Sequence, residues 1–195
     1  MSTSNVGKAV SQDSNSYHHG DLRRALIDAS LELFATDSSF SLRALAKHVG
    51  VSPTAVYRHF ADKTALENAV SARGYSMLLD EFRALSERDS AREQALEFGL
   101  CYVNFAQAHP HLFDLMGRYD CTLDEESASI SREFFDYLAE HNMRLAPEVD
   151  PQVLTWTLWS LVHGVTVLGR GGVLGKAESE NYRDMLSHSL ALIFR

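Results

Sequence analysis

The sequence predicts an all-α protein: a three-helix unit followed by a longer helical bundle. Three observations carry this reading. Apolar residues recur at helical spacing, as at Leu42, Leu45, Ala46 and Val49, which stand at i, i+3, i+4 and i+7. Helix-opening sequences recur between the periodic stretches: Ser52-Pro53, Ser90-Ala-Arg-Glu93, Thr122-Leu-Asp-Glu125 and Asp150-Pro151. No segment of useful length alternates apolar and polar residues as a half-buried strand would, and no internal repeat is present.

Taken in order, residues 1–16 are rich in Ser, Asn and Gln and are expected to form a disordered arm. Residues 17–62 are expected to form the first domain. Its first helix runs from about Asp21 to Ala35, with Leu22, Leu26, Ala29 and Leu33 on the buried face. Ser41 caps a second helix, which Gly50 ends. Ser52 caps a third, with Pro53 at its first position and Val56 and Phe60 as an apolar pair. Two short helices joined by a Gly-containing turn form a helix-turn-helix, whose second helix enters the major groove of DNA.

Asp62 then caps a helix over 63–85 that links this unit to the remainder of a second domain, 63–195. Its inner candidates are Leu66, Val70, Met77 and Leu78. Ser90 opens a helix that runs to about Ala108 and stops before Pro110, and a short helix is expected over 110–118. Thr122 opens one to about His141. Asp150-Pro151 opens an apolar helix ended by Gly169-Arg-Gly-Gly172, and a last helix covers about Glu178 to Phe194.

Charge separates the two parts. The formal net charge is −8, yet the 24 residues Ser38 to Ala61 contain no Asp or Glu and carry Arg43, Lys47, Arg58, His48 and His59. Lys and Arg number 8 against 8 Asp and Glu over residues 16–85, but 9 against 17 over 86–195. Clearing carboxylates from one short segment of an acidic chain suits it to meet an anion, phosphate above all. The acidic part is expected to stay off DNA.

The run SLRALAKHVGVSPTAVYRHFADKTAL, with Gly50-Val51-Ser52, the Tyr57-x-His59-Phe60 run and Asp62-Lys63 before Leu66, resembles the DNA-binding domain of the tetracycline-repressor (TetR) family of bacterial transcriptional regulators. Downstream, Trp159-Ser-Leu-Val-His163-Gly164 resembles a Trp…His-Gly signature in the regulatory domain of one TetR subgroup. The resemblance implies a dimeric regulator, most often a repressor, that reads a palindromic double-stranded operator and is released by a small apolar effector. It implies a base contact from Arg43 and phosphate contacts from Tyr57, His59 and Lys63. Arg also suits guanine by its own chemistry. Ser41, Ser52, Pro53 and Thr54 complete the expected DNA-facing set; Thr54 could meet a thymine methyl. The alternatives are a solvated Arg43, a neutral surface Thr54 and a Tyr57 packed partly into the core.

The C-terminal part is dense in bulky side chains. Phe98, Tyr102, Phe105, Phe113, Met116, Phe134, Trp156, Trp159 and His163 are the candidate effector-binding residues, with Phe105 and Trp159 as walls, His163 as the hydrogen-bonding member and Cys101 as a further polar candidate. The alternative is that they fill a solid core. In the last helix Tyr182, Met185, Leu186, Ser189, Leu190 and Ile193 lie on one stripe, which is hard to hide in a monomer beside the uncharged helix before it. With Leu161 and Val165 they are the expected homodimer interface.

Other classes find little support. The apolar stretch 151–169 approaches bilayer length but holds Gln152, Thr155, Thr157, Ser160, His163 and Thr166, so a buried bundle helix is expected and no membrane partner. The first residues lack the apolar core of a secretory peptide. Cys101 and Cys121 are expected to be free thiols in a cytoplasmic protein, with a disulfide between them the alternative. His109-Pro-His111 does not place two rings on one helical face, and His18-His19 lies in a segment expected to be flexible, so no metal is expected. The Gly-rich Gly169–Gly172 run lacks the Lys and helix of a phosphate loop, so no cofactor is expected. The rival function is an all-α enzyme or small-molecule binding protein with an incidental helix-turn-helix.

Overall fold

The structure, a computed structural model, describes residues 19–36, 39–118, 125–173 and 179–194. Among these residues there are helices and no strands. The order is α1 His19–Thr36, α2 Leu42–Val49, α3 Pro53–Tyr57, α4 Lys63–Ala84, α5 Ala91–Ala108, α6 Pro110–Met116, α7 Glu125–Asn142, α8 Pro151–Arg170 and α9 Ser179–Ile193. The arm at 1–16, His18, Cys121 and the capping residue Thr122 lie outside the described residues.

The helix starts are set by short side chains that accept backbone amides. Ser41, Ser52, Asp62 and Ser90 each accept from the amide three residues on, and Asp150 accepts from Gln152 and Val153. Gly50 ends α2 at φ 77°. Its amide donates to the Lys47 carbonyl and that of Val51 to the Ala46 carbonyl, the paired closure that a left-handed residue permits.

α1, α2 and α3 pack together around Leu26, Phe34, Leu45 and Val56, and α4 continues that core into the bundle through Leu66, Val70, Leu78 and Phe82. α4 is flanked by α1, α5, α6 and α7, and α6 also touches α1. Arg23 of α1 pairs with Glu126 of α7 at 2.9 Å, and Asn68 of α4 meets Ser127 of α7 at 3.3 Å.

The C-terminal face departs from the sequence-based expectation. Tyr182, Leu186 and Leu190, assigned to a dimer seam, are buried inside this one chain against α5 and α8. Val165 is buried with them, and Leu161, Met185 and Ser189 are half-buried. The physical reason is two notches made by glycine. A Cβ on Gly169 would stand 2.1 Å from the Tyr182 hydroxyl oxygen, and one on Gly99 3.1 Å from Leu186 Cδ1. Gly169, expected to help stop α8, lies within the helix and receives Tyr182. Of the eight assigned residues only Ile193 is exposed. The uncharged surface lies elsewhere on α8: Val153, Trp156, Ser160 and Val167 are exposed, with half-buried Gly164 among them, at i, i+3, i+7, i+14 and i+11. Leu168 on α8 and Leu192 on α9 are also exposed.

Candidate nucleic-acid interface and effector chamber

α2 and α3 bury Leu42, Leu45, Ala46 and Val56 and turn their polar sides outward. Arg43 and Lys47 on α2, and Ser52, Pro53, Thr54, Tyr57 and Arg58 around α3, are exposed; His59 is half-buried. Among the described residues Arg43, Lys47 and Arg58 form no ion pair, whereas Arg23, Arg83, Arg170 and Arg183 are each matched to a carboxylate. Glu32 of α1 reaches His48 at 3.4 Å, but the three unpaired cations, on a segment with no carboxylate of its own, leave a local positive field in an acidic protein. Ser41 and Ser52 use their oxygens as caps and keep their hydroxyl protons for a second partner. Tyr57 is 51% exposed, against the alternative of core packing. Lys63 lies at the start of α4 and contacts Glu67 at 3.3 Å.

The second region is a chamber of about 210 Å³ between α4, α5, α6 and α8. Five of the nine candidate residues line it: Tyr102, Phe113, Met116, Trp159 and His163. Tyr75 of α4 also lines it and was missed. The Ser71, Tyr75, Leu78, Phe82 stripe, at i, i+4, i+7 and i+11, is the signal that could have found it. Tyr102 Oη and His163 Nδ1 are 2.7 Å apart. Burial holds the His163 pKa below its usual value, and burial, then the neighbouring Tyr75, pushes that of Tyr102 up. Both groups are therefore neutral at pH 7, and one ring nitrogen of His163 remains for another partner. Over the chamber Arg170 ties α8 to α6: it pairs with Asp114 at 2.7 Å, donates to the Pro110 carbonyl at 3.2 Å and lies 4.9 Å from the centre of the Phe113 ring.

Phe98, Tyr102 and Trp159 also border a narrow apolar crevice of about 40 Å³ on the far side of Trp159. The other candidates lie outside both spaces. Phe105, expected as a wall, is 1% exposed and packs in the core beside His109. Phe134 is fully buried among Tyr75, Phe82, Phe135 and Trp159. Trp156 is 48% exposed with its ring on Phe135, because Leu154, Thr155, Leu158 and Trp159 take the inward side of α8 around it. Cys101 is turned to Glu81 at 3.5 Å, and burial with that carboxylate pushes its thiol up to about 12, which leaves it protonated and unreactive. Among the described residues no helix is long and apolar enough to cross a membrane.

Residues 26–70 match the family model described as bacterial regulatory proteins, tetR family, and residues 95–191 match tetracyclin repressor-like, C-terminal domain. An uncharacterized HTH-type transcriptional regulator of Haemophilus influenzae is 28% identical over 127 residues, which cover 61% of this chain and 62% of that protein. The chain therefore spans under two thirds of that relative's length. A Rhodococcus sp. RHA1 protein with unknown function superposes at TM-score 0.76 with 26% identity, covering 93% of this chain and 99% of that one. A tetR-family transcriptional regulator from Streptomyces coelicolor superposes at TM-score 0.67 with 19% identity, covering 89% and 80%.

Proposed function

As the chain belongs to the TetR family of bacterial regulatory proteins, we propose that it is a dimeric, ligand-released transcriptional repressor acting on DNA in the cytoplasm, without enzymatic activity. The observation that carries the reading is the exposed α2–α3 segment, which has no carboxylate of its own and whose Arg43, Lys47 and Arg58 form no ion pair among the described residues. One such unit makes few contacts. Two, related by a two-fold axis, double them and read a palindrome.

α8 and α9 supply the dimer seam in this reading, through the stripe Val153, Trp156, Ser160, Gly164 and Val167 and the exposed Leu192 and Ile193. The support is a run of exposed apolar side chains without a charge, with open space over Gly164 where a partner helix can approach closely.

The chamber holds the effector. It is bordered by Tyr75 on α4 and by Phe113, Met116 and Gly117 on α6. A molecule seated there pushes on α4 and α6 together. α6 touches α1, and α4 begins at Lys63, immediately after the helix-turn-helix. The 22 residues of α4 span about 33 Å, so a small tilt at Tyr75 is magnified at its first turn. The spacing of the two recognition helices then no longer matches a fixed operator.

The test is a gel shift on the DNA upstream of the protein's own gene at several salt concentrations. Tight binding that weakens steeply with salt supports the regulator. No binding at low salt moves the reading to a small-molecule binding protein or enzyme.

A further inference from the structure

The chamber and the crevice adjoin each other. Tyr102 and Trp159 form a wall of both. Along α8, Thr155, Trp159 and His163 recur at every fourth residue, so they share one stripe, with the two ends about 12 Å apart along the axis. His163 faces the chamber and Thr155 borders the crevice.

Thr155 is the informative residue. It is 4% exposed, and among the described residues its Oγ1 is the one buried side-chain polar atom without a hydrogen-bond partner. A helical Thr can return its hydroxyl to the carbonyl four residues back. Thr157 does so to Val153 at 2.8 Å, and Thr166 to Val162 at 2.7 Å, on the same helix. Thr155 forgoes that bond while bordering a space otherwise walled by groups such as Phe98, Leu158, Leu186 and Leu190, with the Asn142 side chain also on its border. The crevice holds about three waters in volume, which suits a polymethylene chain and not a ring. Among the described residues no Asp, Glu, Lys or Arg lines either space.

We infer that the effector is an uncharged, two-ended molecule: an oxygen-bearing head in the chamber at Tyr102 and His163, an alkyl spacer passing Trp159, and a terminal hydroxyl or carbonyl at Thr155. The inference rests on the chamber being the effector site. It excludes carboxylates and ammonium groups at either end, because no charged side chain among the described residues lines either space and Arg170, over the chamber, is already matched to Asp114.

The test is calorimetric titration of the full chain with phenol, 4-alkylphenols and 4-(ω-hydroxyalkyl)phenols from ethyl to octyl. At one intermediate length the terminal hydroxyl is expected to tighten binding about tenfold over the plain alkyl analogue, the effect of one buried hydrogen bond. Thr155→Val should abolish that gain and leave plain alkylphenols bound equally or more tightly. Thr155→Ser, which keeps the hydroxyl, should retain the gain and guards against a misfolded Val variant. A hydroxyl gain that is absent at every length, or that survives in Thr155→Val, overturns the two-ended inference while phenol binding leaves the chamber standing. Failure of phenol and all its derivatives to bind removes the chamber reading and the inference together.

Discussion

Replacing Gly74 with Ala would drive a methyl group into the seam between α4 and α6. A Cβ built there stands 2.6 Å from Met116 Sδ, 3.0 Å from its Cγ and 3.2 Å from Leu112 Cδ1. Ordinary carbon contacts lie at about 3.5–4.0 Å, so Met116 has to retreat by roughly 1 Å. Met116 and Leu112 are 4% and 5% exposed, so neither can swing into solvent. The free space open to Met116 is the chamber it lines. Overpacking of this kind costs about 1–3 kcal/mol, and the gain from Gly to Ala within a helix offsets about 1 kcal/mol. A net loss of about 1 kcal/mol lowers the melting temperature by about 2–4 °C for a chain of this length. The larger effect falls on DNA: α4 and α6 are pushed apart where an effector would push them, so operator affinity should drop severalfold without ligand. Thermal melting and a gel shift measure the two effects. Met116→Ala in the same chain removes the obstruction and should restore operator affinity. A Gly74→Ala protein with wild-type melting and wild-type operator affinity would refute both the rigidity of the seam and its coupling to the recognition helices.

Other perturbations separate the remaining assignments. Arg43→Ala should lose about 1–3 kcal/mol per half-site on the cognate operator and little on random DNA, whereas Lys63→Ala should weaken both and reduce the salt slope by about one per half-site; equal losses on both DNAs for Arg43→Ala make it a backbone contact. Leu186→Glu places a carboxylate in the interior of each subunit, so it should unfold the chain by about 3 kcal/mol or more instead of producing a folded monomer. Trp156→Glu should keep the monomer fold and shift sedimentation toward monomer; a variant that stays fully dimeric moves the seam elsewhere. The lowered His163 pKa means that the unfolded chain takes up the proton first as pH falls. Its contribution to stability is therefore whole above about pH 6.5 and is lost as pH falls toward the folded value. Melting temperatures should decline through that window and less so in His163→Gln; an identical decline in the variant assigns the effect to another group.

The helix-turn-helix was legible almost residue by residue. Ser41, Gly50, Ser52, Pro53 and Asp62 act through short-range geometry: a side chain capping an amide three residues on, a left-handed turn, a fixed φ. Such effects depend on sequence neighbours alone, so the sequence determined where these helices start and stop. The carboxylate-free stretch was equally readable, because charge is a property of composition. The chamber was legible in part. Periodicity placed Tyr102, Trp159 and His163 on inward stripes, but it could not separate a wall from filled core. Phe105 and Phe134 have the same pattern and are solidly packed, and the free Thr155 hydroxyl depends on a rotamer that no spacing reveals. The sharpest divergence is α9. Its apolar stripe announced that Tyr182, Leu186 and Leu190 would be buried, and they are. Whether the cover is a second copy or this chain's own α5 and α8 turns on Gly99, far away in sequence, and Gly169, on the preceding helix, whose missing side chains let α9 close down. The sequence by itself determined the helices, their caps and which residues shun water. Only the tertiary structure decided what covers them, since burial is a property of two surfaces and the shape of the second is set by distant residues.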